Sequence, residues 1–324
     1  MNSGATVLIT SAGRRGQLVH FFKGIANKFN GSVLVADASK LAPTAYLADQ
    51  AFLVPRIDSG SYLEALLEIC ERQSVRLLVP TIDTELEILS GASKQFASLG
   101  TLVLVSDPET IAVSADKQKT NRWLLEHGFP APRQRALHGI NETTFDLPFP
   151  VFVKPARGSR SVGAQVVERF EDFSGLNAAD DFLAEELIQG EEYTVSTYVD
   201  LQGRCLAAVP RQRVEVRDGE VSKSVTRHLP DVENVCARIV ESLTGAWGPL
   251  NVQLIRDSGS GDYKIIEINA RFGGGDPLAW EAGANAPKWA MMEALGFEPE
   301  QFADWKKNLA MLRFDDAVFI NADE

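Results

Sequence analysis

Between Thr6 and about Ile111, short apolar runs rich in branched residues alternate with amphipathic stretches, and few folds accommodate that rhythm. The runs are TVLIT, VLVAD, AFLVP, RLLVP and TLVLV; the amphipathic stretches are Gln17 to Phe29, Tyr62 to Gln73 and Leu86 to Leu99. Strands that are apolar throughout, rather than alternately, are buried on both faces. The segment therefore predicts a parallel sheet between helical layers, a Rossmann-like domain that presents ligands at the carboxyl ends of its strands.

The rhythm changes near Ser114. A helix is expected over Lys117 to His127, then a proline-containing loop from Pro130 to Pro150, the strand PFPVFVKP, a glycine-containing loop, a helix near Phe170 to Ala178 and the strand DFLAEELI. Beyond these, EYTVSTYVD, CLAAVPRQRVEV, LNVQLIRD and YKIIEINAR read as antiparallel strands of a second lobe. The expected division is 1–113, 114–190 and 191–324.

Composition narrows the function classes. The 324 residues carry 32 basic and 44 acidic side chains, a net charge of -12 that repels nucleic acid. No apolar run nears the roughly 20 residues of a membrane span, and no signal segment opens the chain, so a cytoplasmic protein is expected. Cys70, Cys205 and Cys236 form no CxxC pair, and His20, His127, His138 and His228 are scattered. Any metal should take oxygen ligands.

Three constellations carry chemistry. In VFVKPARGSRSVG, a strand ends at Lys154 and runs into a loop with Gly158, Ser159, Ser161 and Gly163, where exposed backbone N–H groups and a lysine can meet phosphate. The lysine precedes the glycines, so the spacing is not GxxxxGK[ST]. In EELIQGEEYTV, an extended hinge runs from Glu185 through Glu186, Leu187 and Ile188 to a turn at Gly190; its backbone can read an adenine edge, and Glu192 can accept from ribose hydroxyls.

The third is NVQ followed by KIIEINARFGGGD. Strand alternation places Glu267, Asn269 and Arg271 on one face, with Ile266 and Ile268 directed into a core, and aligns Asn251 with Gln253 on the preceding strand. Gln253, Glu267 and Asn269 make an oxygen-rich surface suited to Mg2+, while Arg271 can grip a phosphate.

In this order, with ITSAGRRGQLVHFFK, VPTIDTELEIL and SADKQKTNRWLLEHGFPAP, the chain resembles the ATP-grasp superfamily, in particular stand-alone relatives of the carbamoyl-phosphate synthase large subunit. The resemblance implies a pre-ATP-grasp Rossmann-like domain followed by a two-lobed ATP-grasp α+β fold. Lys117 and Lys154 then match the nucleotide lysines, Glu185 and Glu192 the hinge and ribose carboxylates, and Gln253, Glu267 and Asn269 the metal set. Arg271 matches the phosphate-binding arginine, making Arg271 and Lys154 the expected catalytic residues.

The synthases have a second arginine where this chain has Gly274, so a carboxylate–amine ligase is the closer analogy. It would use ATP with Mg2+, or Mn2+ in its place, and act on small-molecule carboxylate and amine substrates, with a homodimer as a possible assembly. Arg211 and Arg213, two apart on a strand, are candidates for a carboxylate clamp; Asp83 and Glu85 are candidates for the amine, although Asp83 and Thr84 also fit a helix cap. The alternatives are an ATP-dependent kinase, a nucleotide-binding regulatory protein, or an NAD-dependent oxidoreductase, the last resting on VLITSAGRRG with Asp37 at the end of the second strand.

Overall fold

The computed structural model describes residues 4–158, 163–176, 181–217 and 219–321. The apolar runs of the first third become β1 (Val7–Thr10), β2 (Val33–Asp37), β3 (Gln50–Leu53), β4 (Leu77–Val79) and β5 (Leu102–Val103), all parallel in the order β3-β2-β1-β4-β5. The helices of this region are α1 (Gly16–Ala26), α2 (Tyr62–Gln73), α3 (Asp83–Gly91) and α4 (Ser93–Ser98). The helix expected over Leu86 to Leu99 is thus two helices, broken at Ala92, which takes the non-helical angles φ -99, ψ 2. The chain winds from β1 to β3 on one side and then crosses to β4 on the other. The order reverses between β1 and β4, so the crevice at their carboxyl ends is a topological switch point, where doubly wound sheets bind ligands.

After α5 (Pro108–Ser114) and α6 (Lys117–Glu126) come β6 (Gln134–Ala136), β7 (Val151–Pro155), β8 (Gln165–Val167) and β9 (Phe182–Glu186), an antiparallel sheet ordered β6-β9-β7-β8. Its small core includes Val151, Val153, Val167, Phe182 and Ala184. The helix expected near Phe170 to Ala178 is a short 3-10 turn over Phe170–Gly175, and residues 177–180 lie outside the described residues.

The third sheet contains β10 (Gly190–Val199), β11 (Cys205–Arg217), β12 (Glu220–Thr226), β13 (Gly248–Asp257), β14 (Tyr263–Asn269) and β15 (Ala310–Leu312), all antiparallel, in the order β14-β13-β10-β11-β12-β15. Alternation gives it two unlike faces. Val195, Val252 and Ile268 join one core with Cys236 and Ile239 of α7 (Pro230–Ser242) and with Leu8 and Leu78 of the first sheet. Thr194, Ser196, Asn251, Gln253 and Arg211 take the intervening positions. This shared core fixes the first domain against the third sheet. Between β14 and β15 lie α8 (Pro277–Glu281) and α9 (Ala286–Ala294), whose Trp280 and Trp289 pack with Phe22 of α1 in a second core. Among the described residues, no helix is long and apolar enough to cross a membrane.

Candidate active site between two sheets

The end of β14 sets the site. Antiparallel pairing with β13 puts Glu267 opposite Gln253 and Asn269 opposite Asn251. The register then shifts, because Leu254 pairs with Ile265 and leaves Ile266 as the extra residue of a β-bulge. Simple alternation fails there. Ile265 and Ile268 are buried in the core, whereas Ile266, expected in the core, faces the cleft beside Glu267. The correction is functional, since the bulge supplies an apolar surface next to the carboxylate.

The cleft lies between this sheet and the four-stranded one, and its volume is about 280 Å³. Lys117, Lys154, Gly158, Glu185, Glu192, Arg213, Gln253, Ile255 and Glu267 are among its lining residues. Lys154 leaves β7 with its Nζ 2.7 Å from Glu185 Oε2 and 3.4 Å from the Ile266 carbonyl. Lys117 opens α6, where the Asp116 carboxylate caps the helix by accepting from the Gln118 and Lys119 amides. Its Nζ donates to the Gly158 carbonyl at 2.7 Å and lies 3.8 Å from Glu267 Oε1. Two cations thus converge on the carboxylates of the cleft. Gly163 is described on the far side of the loop, while Ser159 and Ser161 lie outside the described residues.

Glu185 is buried, accepting also from Gln134 Nε2 at 2.7 Å. In the hinge, the Glu186 amide is already committed: it donates to the Arg133 carbonyl, and the Glu186 side chain accepts from the Arg133 amide. A base edge would therefore meet backbone at Leu187 and Ile188 rather than the Glu186 N–H; both residues line the cleft. Glu192 is half exposed, with its Oε2 3.2 Å from Arg213 Nε.

Asn269 and Arg271 close the other end. Arg271 forms a two-pronged pair with Asp83, Nε to Oδ1 at 2.8 Å and Nη2 to Oδ2 at 2.7 Å, and Nη2 lies 3.4 Å from Asn269 Oδ1. Burial pulls its pKa down, but the carboxylates of Asp83, Glu267 and Asp276 together outweigh burial and the net shift is upward. Asp83 therefore does not cap α3 as a free acid. Arg211, expected in a carboxylate clamp with Arg213, is 2% exposed and committed elsewhere: Nε donates to Ser196 Oγ at 2.7 Å, and Nη2 to Asn251 Oδ1 at 2.9 Å and Asp276 Oδ1 at 2.8 Å. A Cβ on Gly275 would fall 2.1 Å from Arg211 Nη1, so this packing leaves no room for a side chain at Gly275. Beside Gly274, where the synthases carry an arginine, the nearby guanidinium is that of Arg313, 3.5 Å from a Cβ built there.

Glu85 is fully buried rather than open to an amine. It accepts from the Thr81 amide at 2.7 Å, the Ile82 amide at 3.1 Å, Tyr62 Oη at 2.7 Å and Ser11 Oγ at 3.2 Å. Burial pushes its pKa up, opposed by these donors. It staples together the loops after β1 and β4. Asp37, the candidate ribose acid of a dinucleotide site, accepts instead from the Gly13 amide at 3.1 Å and the Ser39 amide at 2.9 Å, tying down the turn it would have served.

Sequence reasoning overlooked Arg15. It stands just before α1, and its Nη1 donates to the Phe272 carbonyl at 2.8 Å, bridging the first domain to the segment after β14. Its place in SAGRRG was the available signal.

A two-lobed cleft with lysines on one wall and a carboxylate–amide strand pair on the other defines a nucleotide-binding protein of the grasping type. Residues 114–275 match the ATP-grasp domain and residues 7–104 the PylC-like N-terminal domain; the chain belongs to the ATP-grasp family. It is 28% identical over 214 residues to the D-alanine--D-alanine ligase of Xylella fastidiosa, covering 60% of this chain and 68% of that one. With the 3-methyl-D-ornithine--L-lysine ligase of Methanosarcina barkeri, identity is 27% over 250 residues, covering 76% of this chain and 62% of the relative. In fold, it is similar to biotin carboxylase from Campylobacter jejuni, with a TM-score of 0.74, 18% identity and coverage of 94% and 74% of the two chains.

Proposed function

We propose that the protein is a Mg-ATP-dependent ligase that activates a carboxylate as an acyl phosphate and joins it to an amine. The observation that carries this reading is the convergence of Lys117 and Lys154 with the Gln253–Glu267 strand pair across one cleft. Nucleotide would lie between the sheets, its base against Leu187 and Ile188, its ribose at Glu192 and its phosphates toward Lys117, Lys154 and the loop bounded by Gly158 and Gly163. Among the described residues, no group of three or more His, Cys, Asp or Glu side chains could hold a metal unaided. A cation held by one or two carboxylates, with phosphates and water completing its shell, fits Glu267 with the amide oxygens of Asn269 and Gln253 beside it, and Mg2+ is such a cation.

In this reading residues 1–113 form the Rossmann-like domain that precedes the grasp fold, and 114–190 and 191–324 the lobes that hold ATP. A carboxylate oxygen attacks the γ-phosphorus, the bond to the β–γ bridging oxygen breaks, and ADP leaves. The amine then attacks the acyl carbon, the bond to the phosphate oxygen breaks, and phosphate departs as the nitrogen loses a proton. Arg271 stabilises charge on the transferring group, and alignment supplies most of the rate. The two ligases named above carry amino-acid substrates in their names, which makes amino-acid carboxylates and amines the first substrates to test.

Two measurements test the assignment. Mg-ATP should raise the melting temperature by mass action and NADH should not; the reverse would favour an oxidoreductase. Glu267→Gln should lower ADP release about 100-fold or more while leaving the unliganded fold intact. Near-native turnover in that variant would remove this carboxylate from the mechanism.

A further inference from the structure

Four arginines crowd the place where the end of β14 meets the first sheet, and three of them have a carboxylate of their own. Arg271 holds Asp83, Arg211 holds Asp276 and Arg313 holds Glu220, at 2.7, 2.8 and 3.2 Å. Arg15 lies within electrostatic reach of Asp83, Asp276, Glu220 and Arg271, yet among the described residues its one side-chain hydrogen bond is to the neutral carbonyl of Phe272. A guanidinium has five N–H donors, and this one uses a single donor on an uncharged acceptor. Burial, then the neighbouring Arg271 charge, pull its pKa down to about 10. Three carboxylates lie within electrostatic reach of the cation, but among the described residues none of them is hydrogen-bonded to its guanidinium.

The backbone holds it there deliberately. Arg15 ends the loop after β1, and Asp83 follows the loop after β4, so the two flank the switch-point crevice of the first sheet. Ser11 in the first loop takes the left-handed φ of 50°, a conformation costly for a residue with a side chain. It is fixed by its amide on the Ala36 carbonyl, by Thr81 Oγ1 donating to its carbonyl at 2.7 Å, and by Glu85. Arg271 is within electrostatic reach of Glu267 on one side and of Arg15 on another.

We propose that Arg15 binds the anionic head of the acid substrate, as carboxylate before phosphoryl transfer and as acyl phosphate after it. The switch-point crevice would thereby complete the active site. This rests on the ligase reading, and it adds that the first domain supplies a binding residue rather than only support. An anion arriving between Arg15 and Arg271 would take up the donors that Arg15 leaves unused, and the planar guanidinium suits a two-oxygen head.

Inorganic phosphate, added to protein saturated with Mg-ADP, mimics the transferred phosphoryl group, and thermal stability at constant ionic strength reports its binding. Phosphate should stabilise the wild type, and Arg15→Gln should need about tenfold more phosphate for the same gain, equivalent to about 1.4 kcal/mol, with Mg-ADP affinity within about twofold. If Arg15→Gln does not fold, Arg15→Lys, which keeps the charge but not the fork, should need severalfold more phosphate. An equal phosphate response in wild type and folded variant, or no response in wild type that binds Mg-ADP, would overturn the proposal. Failure of the wild type to bind Mg-ADP would instead overturn the nucleotide reading beneath it.

Discussion

The cleft between the two C-terminal sheets and the crevice at the end of the first sheet are both lined by ion pairs, but the pairs differ in what surrounds them. In the cleft, Lys117–Glu267 at 3.8 Å and Arg213–Glu192 at 3.2 Å border open volume, and Glu192 is half exposed. In the crevice, Arg211 and Asp276 are both 3% exposed along their side chains, and Asp276 also accepts from the Asn251 amide group and the Gly273 amide. Charges beside open volume can exchange their partner for a ligand at little structural cost. Charges sealed from water cannot, because each relies on the other to offset its lost hydration. Substitutions at Glu192 or Glu267 should therefore damage binding and turnover, and substitutions at Arg211 or Asp276 should damage the fold as well; the sealed Lys154–Glu185 pair of the cleft belongs with the second kind.

The sharpest way to break this comparison is Asp276→Ala. It leaves the Arg211 guanidinium buried without a counter-charge and removes acceptors from Ser196, Asn251 and Gly273. The expected loss is about 3–5 kcal/mol of folding stability by urea denaturation. A loss below about 1 kcal/mol, the range of exposed pairs, would show that the crevice is as exchangeable as the cleft.

A smaller effect, of opposite kind, is expected from Glu192→Ala. The half-exposed pair with Arg213 contributes little to the fold, so stability should stay within about 1 kcal/mol of wild type. Loss of a charged acceptor for the ribose hydroxyls should weaken Mg-ATP about tenfold in a direct titration. Unaltered Mg-ATP affinity would move the ribose away from this carboxylate.

The same contrast explains what the sequence made legible. The cleft is built from strands, and alternation alone puts Gln253 and Glu267 on one face; the structure places them opposite each other. Ile266 escaped because a bulge adds one residue without leaving a mark in the apolar pattern. The parallel sheet was readable from its apolar strands, but the crevice was not, because it joins loops far apart in the chain. Arg15 and Phe272 are 257 residues apart, and no periodicity couples them. Glu85 looked available because it follows a strand end, as ligand-binding acids do. Its position three residues after Ile82, where a carboxylate can reach back to the first amides of a helix, was the signal for the capping role it takes.

That buried carboxylate gives the smallest of the expected effects and tests whether the crevice rather than the cleft carries the pH response. Burial raises the Glu85 pKa above its ordinary 4.5, so the folded protein holds this proton to higher pH than the unfolded chain does. A state that binds more protons loses relative stability as pH rises. The contribution of Glu85 should therefore be most favourable below 4.5, decline as pH climbs toward the raised folded value and then level off, each tenfold displacement in proton affinity amounting to about 1.4 kcal/mol. Glu85→Gln cannot titrate, and its one NH2 must replace an accepting oxygen, Oε2 at Tyr62 Oη and Ser11 Oγ if Oε1 keeps the Thr81 and Ile82 amides, so it should be less stable than wild type at low pH. The gap should narrow as pH rises, since only the wild type loses stability through this group. Urea denaturation of both proteins across that range measures the gap directly. A gap that stays constant would show that Glu85 does not carry the pH dependence.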